Sequence, residues 1–417
     1  MRRSIAISLS PNCEKDDISL ALKLLFSPFS WFDFRQTEGL ENDFKKLFGS
    51  NYQFLAVDSG RSALYLILKA LGISEGDEVL LQGFTCVAVP NSVIWTGAKP
   101  VYVDVDKNFN IDIGKIKEKI TEKTKAIIVQ HSFGIPVDIQ KVRRVVRNKR
   151  IVIIEDCALS LGAENKGKKV GTLGDISFFS FGRDKVISSV FGGMILSKNK
   201  KIYEKLKQER YDLNYPSAFW LIQQLLHPIF FSLILLTYNL GFGKLTIGKM
   251  SLFLLQSFNI LSKAVSEDEK KGKKPKRFLR KMPGALAVLA RNQLRKLEKF
   301  NRRRRNISNY YFSALKIKDL QLPVKIKGSI YMRFPILSSR SIQIFRCMKR
   351  QGILFGDWYK APVVPVYDLS LVEYQPLTCR NAEKYSRTIL NIPTNPTMTL
   401  TDAKEVVRLI KLCLNTK

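Results

Sequence analysis

Three groups of polar residues follow apolar, strand-like stretches in the first half of the chain. A glycine at a strand-to-helix turn exposes backbone N–H groups that suit a phosphate. A carboxylate at the end of a buried strand needs a cationic partner, and a lysine in such a crevice can form a Schiff base. The residues are Gly60 and Arg61 after QFLAV (53–57), Asp156 after IVIIE (151–155), and Ser180 and Lys185 in SFFSFGRDK.

Each group alone also has an ordinary explanation: a tight turn, a carboxylate paired with a structural arginine, and a solvated lysine. Their combination and order are more specific, because they match what pyridoxal phosphate needs. The phosphate takes the helix N-terminus, the Asp156 carboxylate keeps the pyridine nitrogen protonated, and Lys185 holds the aldehyde as an imine and moves protons.

The elements that must position these residues alternate between strand and helix patterns from residue 53 to 200. Helical segments such as SALYLILKALG (62–72) and DIQKVRRVVRNK (138–149) separate the apolar runs. Such alternation predicts a mostly parallel sheet covered by helices on both faces. The predicted strands are QFLAV (53–57), EVLLQ (78–82), PVYVDV (100–105), AIIVQ (126–130), IVIIE (151–155), SFFSF (177–181) and GGMILS (192–197).

An uncharged stretch, residues 213–243, interrupts this pattern. A second apolar arm (251–261) and a basic block (263–305) follow it, and the block holds 17 Lys and Arg against four acids, or 17 − 4 = +13. Because Pro228 would break or kink a helix, we expect a helical hairpin or shallow insertion at an anionic membrane rather than one clean span. The alternative is a helical pair buried against a dimer partner.

After the insertion, the spacing of Leu, Ala and Phe predicts one long helix in ALAVLARNQLRKLEKFNRRRRNISNYYFSAL. The last hundred residues predict a smaller α+β domain.

The composition of the chain indicates what kind of partner it binds and which kinds of metal site it lacks. The 417 residues carry a net charge of +33, which implies an anionic partner. The six cysteines form no CxxC or zinc-binding pattern and are expected to be free thiols in a reducing compartment. Two histidines argue against a multi-histidine metal site. The N-terminal apolar stretch is too short to predict a cleaved signal peptide.

Several ordered stretches resemble the DegT/DnrJ/StrS family of sugar aminotransferases: SGRSALYLILKALG, VIIEDCALSLGA, KGKKVGTLGDISFFSFGRDK, GGMILS and AEKYSRTILNIPTNPTMTLTDAKEVVRLI. The resemblance covers nearly the whole chain except about residues 200–275. It implies an α/β protein with the type I PLP-dependent transferase fold (aspartate aminotransferase-like) and a homodimer with the active site at the interface. It also implies transamination of a keto group on an anionic, nucleotide- or lipid-linked sugar, usually with glutamate as amino donor.

Carried over by position, the resemblance assigns roles to six residues. Lys185 matches the Schiff-base lysine and Asp156 the partner of the pyridine nitrogen. The others match cofactor-binding positions: Gly60 and Arg61 at the phosphate turn, Ser180 on the phosphate, and Ala158 against the ring face.

Three positions depart from the family pattern. Cys86 stands where an aromatic side chain stacks on the cofactor, a loss of about 1 kcal/mol. Leu159 replaces a glutamine that bonds the cofactor's phenolic oxygen, and Leu279 replaces a partner-chain asparagine at the phosphate. We expect Arg61 to compensate with a charged contact to the phosphate.

Two residues are candidates for contact with the substrate. His131, in QHSFG, is one, although it could instead shape the turn before Pro136. Tyr359, in the family's C-terminal substrate loop, is the other, with core packing as its alternative.

The sequence therefore predicts a PLP-dependent aminotransferase that makes an amino sugar for surface polysaccharide. A PLP-dependent sugar dehydratase is disfavoured because that branch replaces the lysine by histidine. A degenerate, membrane-associated scaffold stays open, and nucleic-acid binding is not expected because no recognition motif is present. The predicted domains are 1–212 (cofactor-binding), 213–281 (insertion) and 282–417 (linking helix and small domain), in the cytoplasm at the inner face of the membrane.

Overall fold

A computed structural model of the protein describes residues 5–8, 10–147, 150–238, 240–242 and 245–415. Its centre is a seven-stranded sheet, and all seven predicted strands are present, two with the predicted bounds and five with ends shifted by one or two residues. The strands are β1 (Gln53–Val57), β2 (Glu78–Gln82), β3 (Lys99–Val103), β4 (Thr124–Gln130), β5 (Val152–Asp156), β6 (Ile176–Ser180) and β7 (Gly193–Ser197).

The sheet order is β1-β7-β6-β5-β4-β2-β3. Only β7 runs antiparallel to its neighbours β1 and β6. Asp156 at the end of β5 pairs in register with Gln130 of β4 and Phe178 of β6. Because parallel strands end at the same edge of a sheet, the polar residues after β1, β5 and β6 share one edge.

Helices cover both faces of the sheet, as predicted. The α-helices of the described residues, including those of the C-terminal part, are α1 (Lys15–Leu25), α2 (Phe34–Phe48), α3 (Gly60–Ala70), α4 (Ala88–Ile94), α5 (Ile113–Ile116), α6 (Ile139–Val146), α7 (Lys200–Tyr211), α8 (Ala218–Thr237), α9 (Ile247–Ser257), α10 (Glu267–Lys270), α11 (Gly284–Arg295), α12 (Leu297–Ala314), α13 (Ser341–Arg350), α14 (Arg380–Thr388) and α15 (Leu400–Asn415).

Helix α3 shows why the first turn forms where it does. Ser59 is its N-cap, and the Ser59 side chain accepts a hydrogen bond from the backbone N–H of Ser62. Such a cap satisfies one of the free N–H groups that begin a helix. Residues 62–68 are all buried, so the helix is fixed against the sheet with its N-terminus at the functional edge.

The C-terminal part forms a smaller α+β unit, with the antiparallel strands Arg333–Leu337 and Ile389–Pro393. The expectation that all cysteines are free thiols is wrong here, because Cys347 and Cys413 form a disulfide. Helices α13 and α15 pack side by side, which brings two residues 66 positions apart to a Cα–Cα distance of 5.9 Å. Sequence spacing carries no sign of that contact.

The apolar insertion folds as a helical hairpin, in which α8 packs on α9 and on α1. Pro228 lies inside α8. Among the described residues, α8 alone is long and apolar enough to cross a membrane, but half of its most apolar window is buried in the protein, and a core helix would meet the same criterion. The predicted single long helix after the insertion is instead two, α11 and α12, which meet at Lys296.

Candidate active site

The carboxyl ends of β1, β5 and β6 open into one cavity of about 630 Å³. The structure brings together there eight of the nine predicted site residues, with Leu159 beside them. The lining residues from the prediction are Gly60, Arg61, Cys86, Asp156, Ala158, Ser180, Lys185 and Tyr359.

One end of the cavity is formed by the N-terminus of α3 against the end of β6. A Cβ atom built on Gly60 would lie 2.7 Å from the Cβ of Ser180, closer than side-chain atoms approach. Only glycine therefore allows the helix N-terminus and the Ser180 hydroxyl to meet. Backbone N–H groups and a hydroxyl at a helix N-terminus form a site for a phosphate.

Arg61, next to this phosphate end, has partners within the protein that the sequence did not predict. Its guanidinium forms an ion pair with the buried Glu269 carboxylate, and its Nη2 donates to the Ala264 carbonyl at 2.6 Å. Burial lowers the pKa of Arg61. The Arg61 charge is thus balanced within the protein, and this contact ties the segment after the hairpin to α3.

Asp156 lines the cavity and is 4% exposed. Its Oδ1 accepts a hydrogen bond from the Ala158 backbone N–H at 2.9 Å. Burial raises the pKa of Asp156, although the hydrogen bond from Ala158 and the charge of Lys185 act in the opposite direction. A buried carboxylate of this kind is stabilised by a cation placed against it.

Lys185 reaches the cavity from the loop after β6. Among the residues that the structure describes, its amine has no hydrogen-bond or ion-pair partner. The loop itself is held firmly: Asn12 Nδ2 donates to the Lys185 carbonyl at 2.5 Å, and the buried Arg304 donates to the carbonyl of Val186 at 2.8 Å. The backbone is fixed while the amine is left available for chemistry.

Tyr359 and Cys86 also line the cavity. Tyr359 is 6% exposed and packs edge-on against Phe84 at 5.2 Å between ring centroids. Its burial raises its pKa, so the phenol stays protonated. Cys86 lies on a short strand (Thr85–Cys86) paired with Val363–Val364, and Leu279 packs on the core of its own chain.

His131 does not line the cavity, so the structure offers no support for its predicted substrate contact. Its imidazole is fully buried, Nδ1 accepts from the Val137 N–H at 3.0 Å, and Nε2 lies 3.0 Å from Glu155 Oε2. Glu155 also accepts backbone N–H bonds from Gly171, Leu173 and Gly174. These contacts favour the alternative interpretation, in which His131 shapes the turn before Pro136.

Several cavity residues were not predicted from the sequence, among them Arg183, His227, Arg333 and Trp358. Arg333 forms an ion pair with Asp184, and its guanidinium lies 3.5 Å from the centroid of the Trp358 ring. Arg183 could have been noticed because it stands two residues before Lys185. His227 had a weaker signal, a titratable residue within an uncharged apolar stretch.

The residues present fit pyridoxal phosphate. The glycine cradle beside Ser180 would hold the phosphate, the buried Asp156 carboxylate would meet a protonated ring nitrogen, and the unpaired Lys185 amine would meet the aldehyde. Cys86 provides no aromatic ring for stacking.

Comparison with known proteins identifies the family of this chain. The family model for the DegT/DnrJ/EryC1/StrS aminotransferase family matches residues 13–212 and 255–411. This chain belongs to that family. The family match leaves out residues 213–254, which contain the whole of α8 and most of α9.

The relatives differ in how much of their length matches this chain. GDP-perosamine synthase of Escherichia coli O157:H7 is 43% identical over 150 residues, 36% of this chain and 41% of that protein, so the match covers less than half of that relative. UDP-N-acetyl-3-dehydro-alpha-D-glucosamine 3-aminotransferase of Acidithiobacillus ferrooxidans is 27% identical over 96% of this chain and 95% of that protein. The PLP form of the putative sugar aminotransferase Spr1654 from Streptococcus pneumoniae superposes with a TM-score of 0.73 at 20% identity, covering 99% of this chain and 98% of that one.

Proposed function

We propose that this chain is a PLP-dependent aminotransferase that converts a keto-sugar, carried on a nucleotide or a lipid, into an amino sugar for surface polysaccharide. The observation that carries the proposal is the meeting of Asp156, Lys185, Ser180 and Gly60 in one cavity. The cofactor, when bound, supplies an electron-withdrawing ring that stabilises negative charge on the substrate carbon next to nitrogen.

The chain's own residues then have separate tasks. The Asp156 carboxylate holds a proton on the ring nitrogen, and its burial makes that charge pair strong. The Lys185 amine removes the proton from one carbon and returns it at another, as a general base and then a general acid. The α3 N-terminus and the Ser180 hydroxyl hold the phosphate, so the ring cannot shift during proton transfer.

Borohydride reduction of the holoenzyme followed by peptide mapping tests the assignment of Lys185. We expect the pyridoxyl group on Lys185 and, in Lys185→Ala, loss of the cofactor's visible absorption band. A pyridoxyl group on another lysine would contradict the assigned role. A chain that takes up no cofactor at all would favour the alternative that the protein is a degenerate scaffold.

The substrate is proposed from the relatives. GDP-perosamine synthase and UDP-N-acetyl-3-dehydro-alpha-D-glucosamine 3-aminotransferase are named for sugars carried on nucleotides, and the net charge of +33 favours an anionic carrier. Glutamate is the proposed amino donor. The assay is amino transfer from glutamate to a panel of GDP-, UDP- and lipid-diphosphate-linked keto-sugars, with 2-oxoglutarate measured as product.

We also propose a cytoplasmic homodimer with the active site at the interface, held by the hairpin at the inner face of the membrane. Both hairpin helices expose large apolar side chains; Phe253 is 70% exposed and Leu236 is 67% exposed. The basic block 263–305 follows directly in sequence. Apolar insertion beside Lys and Arg is the pattern that binds anionic headgroups.

Vesicle sedimentation tests this location. The full chain is mixed with vesicles of phosphatidylglycerol and phosphatidylcholine, and Phe253→Ser is compared with Leu377→Ser, which removes an equally exposed side chain (73%) outside the hairpin. We expect weaker binding for Phe253→Ser only. Equal binding of both variants, or no binding of the wild type, would refute the membrane proposal. Size-exclusion chromatography with light scattering checks the dimer separately.

A further inference from the structure

The catalytic cavity carries more positive charge than its own carboxylates balance. Six cationic side chains line it: Arg61, Arg183, Lys185, Lys263, Lys270 and Arg333. Four of them form ion pairs with Glu269, Glu267 or Asp184. Of these six, only Lys185 and Arg183 form no ion pair with a carboxylate of the described residues. Lys185 is the residue proposed for catalysis. Among the described residues, Arg183 therefore remains as the one cavity cation with neither an ion pair nor an assigned role.

The environment of Arg183 is that of a binding residue. Its only hydrogen-bond partner among the described residues is the Ser262 hydroxyl, its guanidinium lies 5.4 Å from the centroid of the Phe191 ring, and its buried Nε has no partner. Arg304, also buried without a carboxylate, differs because it donates to three neutral oxygens, those of Asn301, Asn12 and Val186.

A second unpartnered nitrogen comes from the inserted hairpin. His227 of α8 is 1% exposed and lines the same cavity. Its Nδ1 lies 3.2 Å from the Ser10 hydroxyl, while its Nε2 is buried without a partner. Burial and the nearby charge of Arg183 hold the pKa of His227 well below its usual range. When the Ser10 hydroxyl donates to Nδ1, the neutral imidazole carries its hydrogen on Nε2 and donates from there.

Both unpartnered atoms are thus nitrogen donors beside one cavity, and aromatic rings flank them. His227 stacks on Phe231 at 4.2 Å between ring centroids, and Phe191 lies under Arg183. Because the surroundings have low polarity, the interaction of the Arg183 guanidinium with an opposite charge is stronger there than in water. An anionic oxygen is therefore its most favourable partner. An uncharged hydroxyl would leave the charge without a counter-ion.

We propose that Arg183 and His227 form an oxyanion subsite that binds either the diphosphate of the sugar carrier or a carboxylate of the amino donor. The inserted hairpin completes this subsite, because it supplies His227 directly and precedes Ser262, the partner of Arg183. The subsite deepens the proposed aminotransferase function and rests on it. It makes the hairpin part of substrate recognition in addition to any contact with a membrane.

The test measures binding of two probes, inorganic pyrophosphate and glutarate, to the PLP-loaded full chain by isothermal titration calorimetry. Pyrophosphate stands for the carrier, and glutarate stands for glutamate without its reactive amine. Charged hydrogen bonds of this kind correspond to a loss of about ten- to a hundredfold in affinity when one partner is removed. We expect Arg183→Gln to show that loss for at least one probe, with partial recovery in Arg183→Lys, and His227→Phe to show a smaller loss.

Arg277→Gln is the matched control, because it removes one exposed positive charge outside the cavity. A loss confined to pyrophosphate assigns the subsite to the carrier, and a loss confined to glutarate assigns it to the amino donor. Unchanged affinity of a folded Arg183→Gln for both probes, or no binding of either probe to the wild type, would overturn the proposal. The cofactor absorption band and borohydride mapping report on the aminotransferase function independently, so the two failures can be told apart.

Discussion

Gly60→Ala probes the closest approach between α3 and β6. The new Cβ would lie 2.7 Å from Ser180 Cβ and 3.0 Å from Ser180 Oγ, both far inside van der Waals contact. Overpacking of this kind costs about 1–3 kcal/mol of stability. Because the atoms that clash also form the proposed phosphate cradle, we expect cofactor affinity to fall together with stability.

The assay combines thermal unfolding of the apoprotein with titration of PLP, followed by cofactor absorption. The control is Gly114→Ala, whose Cβ would meet only the side chain of Asp112 at 3.3 Å and should leave both measurements near wild type. The double variant Gly60→Ala/Ser180→Gly removes the clashing atoms, since the next contact, Ser180 Cα, is at 3.4 Å. We expect it to recover stability without recovering PLP affinity, because the Ser180 hydroxyl is absent.

Two results would refute this reasoning. Gly60→Ala with wild-type unfolding temperature and PLP affinity would mean that α3 and β6 are farther apart than the structure has them. Recovery of full PLP affinity in the double variant would mean that the Ser180 hydroxyl does not hold the phosphate.

Three further predictions follow from buried carboxylates. Asp156→Asn should keep the fold, seen by circular dichroism, but lower turnover at least about a hundredfold; near-normal turnover would exclude its role. Glu269→Ala leaves Arg61 without its buried partner and should lower the unfolding free energy in urea by about 3 kcal/mol. Glu267→Ala is the little-changed control, because the Glu267 side chain is 45% exposed. The pKa of Glu155 is lowered: burial opposes its charge, but hydrogen bonds from its histidine partner and backbone N–H groups outweigh that effect. The stabilisation of the folded state by ionised Glu155 is therefore present above about pH 4.5 and is lost as pH falls through the lowered pKa. Glu155→Gln should consequently flatten the acid side of the plot of thermal unfolding midpoint against pH.

The sequence by itself determined the seven strands of the sheet and the order of the polar residues that follow them. It could do so because strand and helix periodicity are local properties, and because parallel strands bring their carboxyl ends to one edge wherever the chain goes between them. Gly60, Asp156, Ser180 and Lys185 therefore met in one cavity as expected. Tyr359, from the C-terminal part of the chain, lies there too.

Tertiary structure alone decided which charges balance one another. Arg61 pairs with Glu269 across 208 residues, and His227 meets Ser10 across 217. The prediction that Arg61 meets the phosphate, and that His131 meets substrate, did not anticipate their buried partners Glu269 and Glu155. Contacts at such separations depend on how helices pack, which no local pattern of residues records, and the Cys347–Cys413 disulfide arises in the same way.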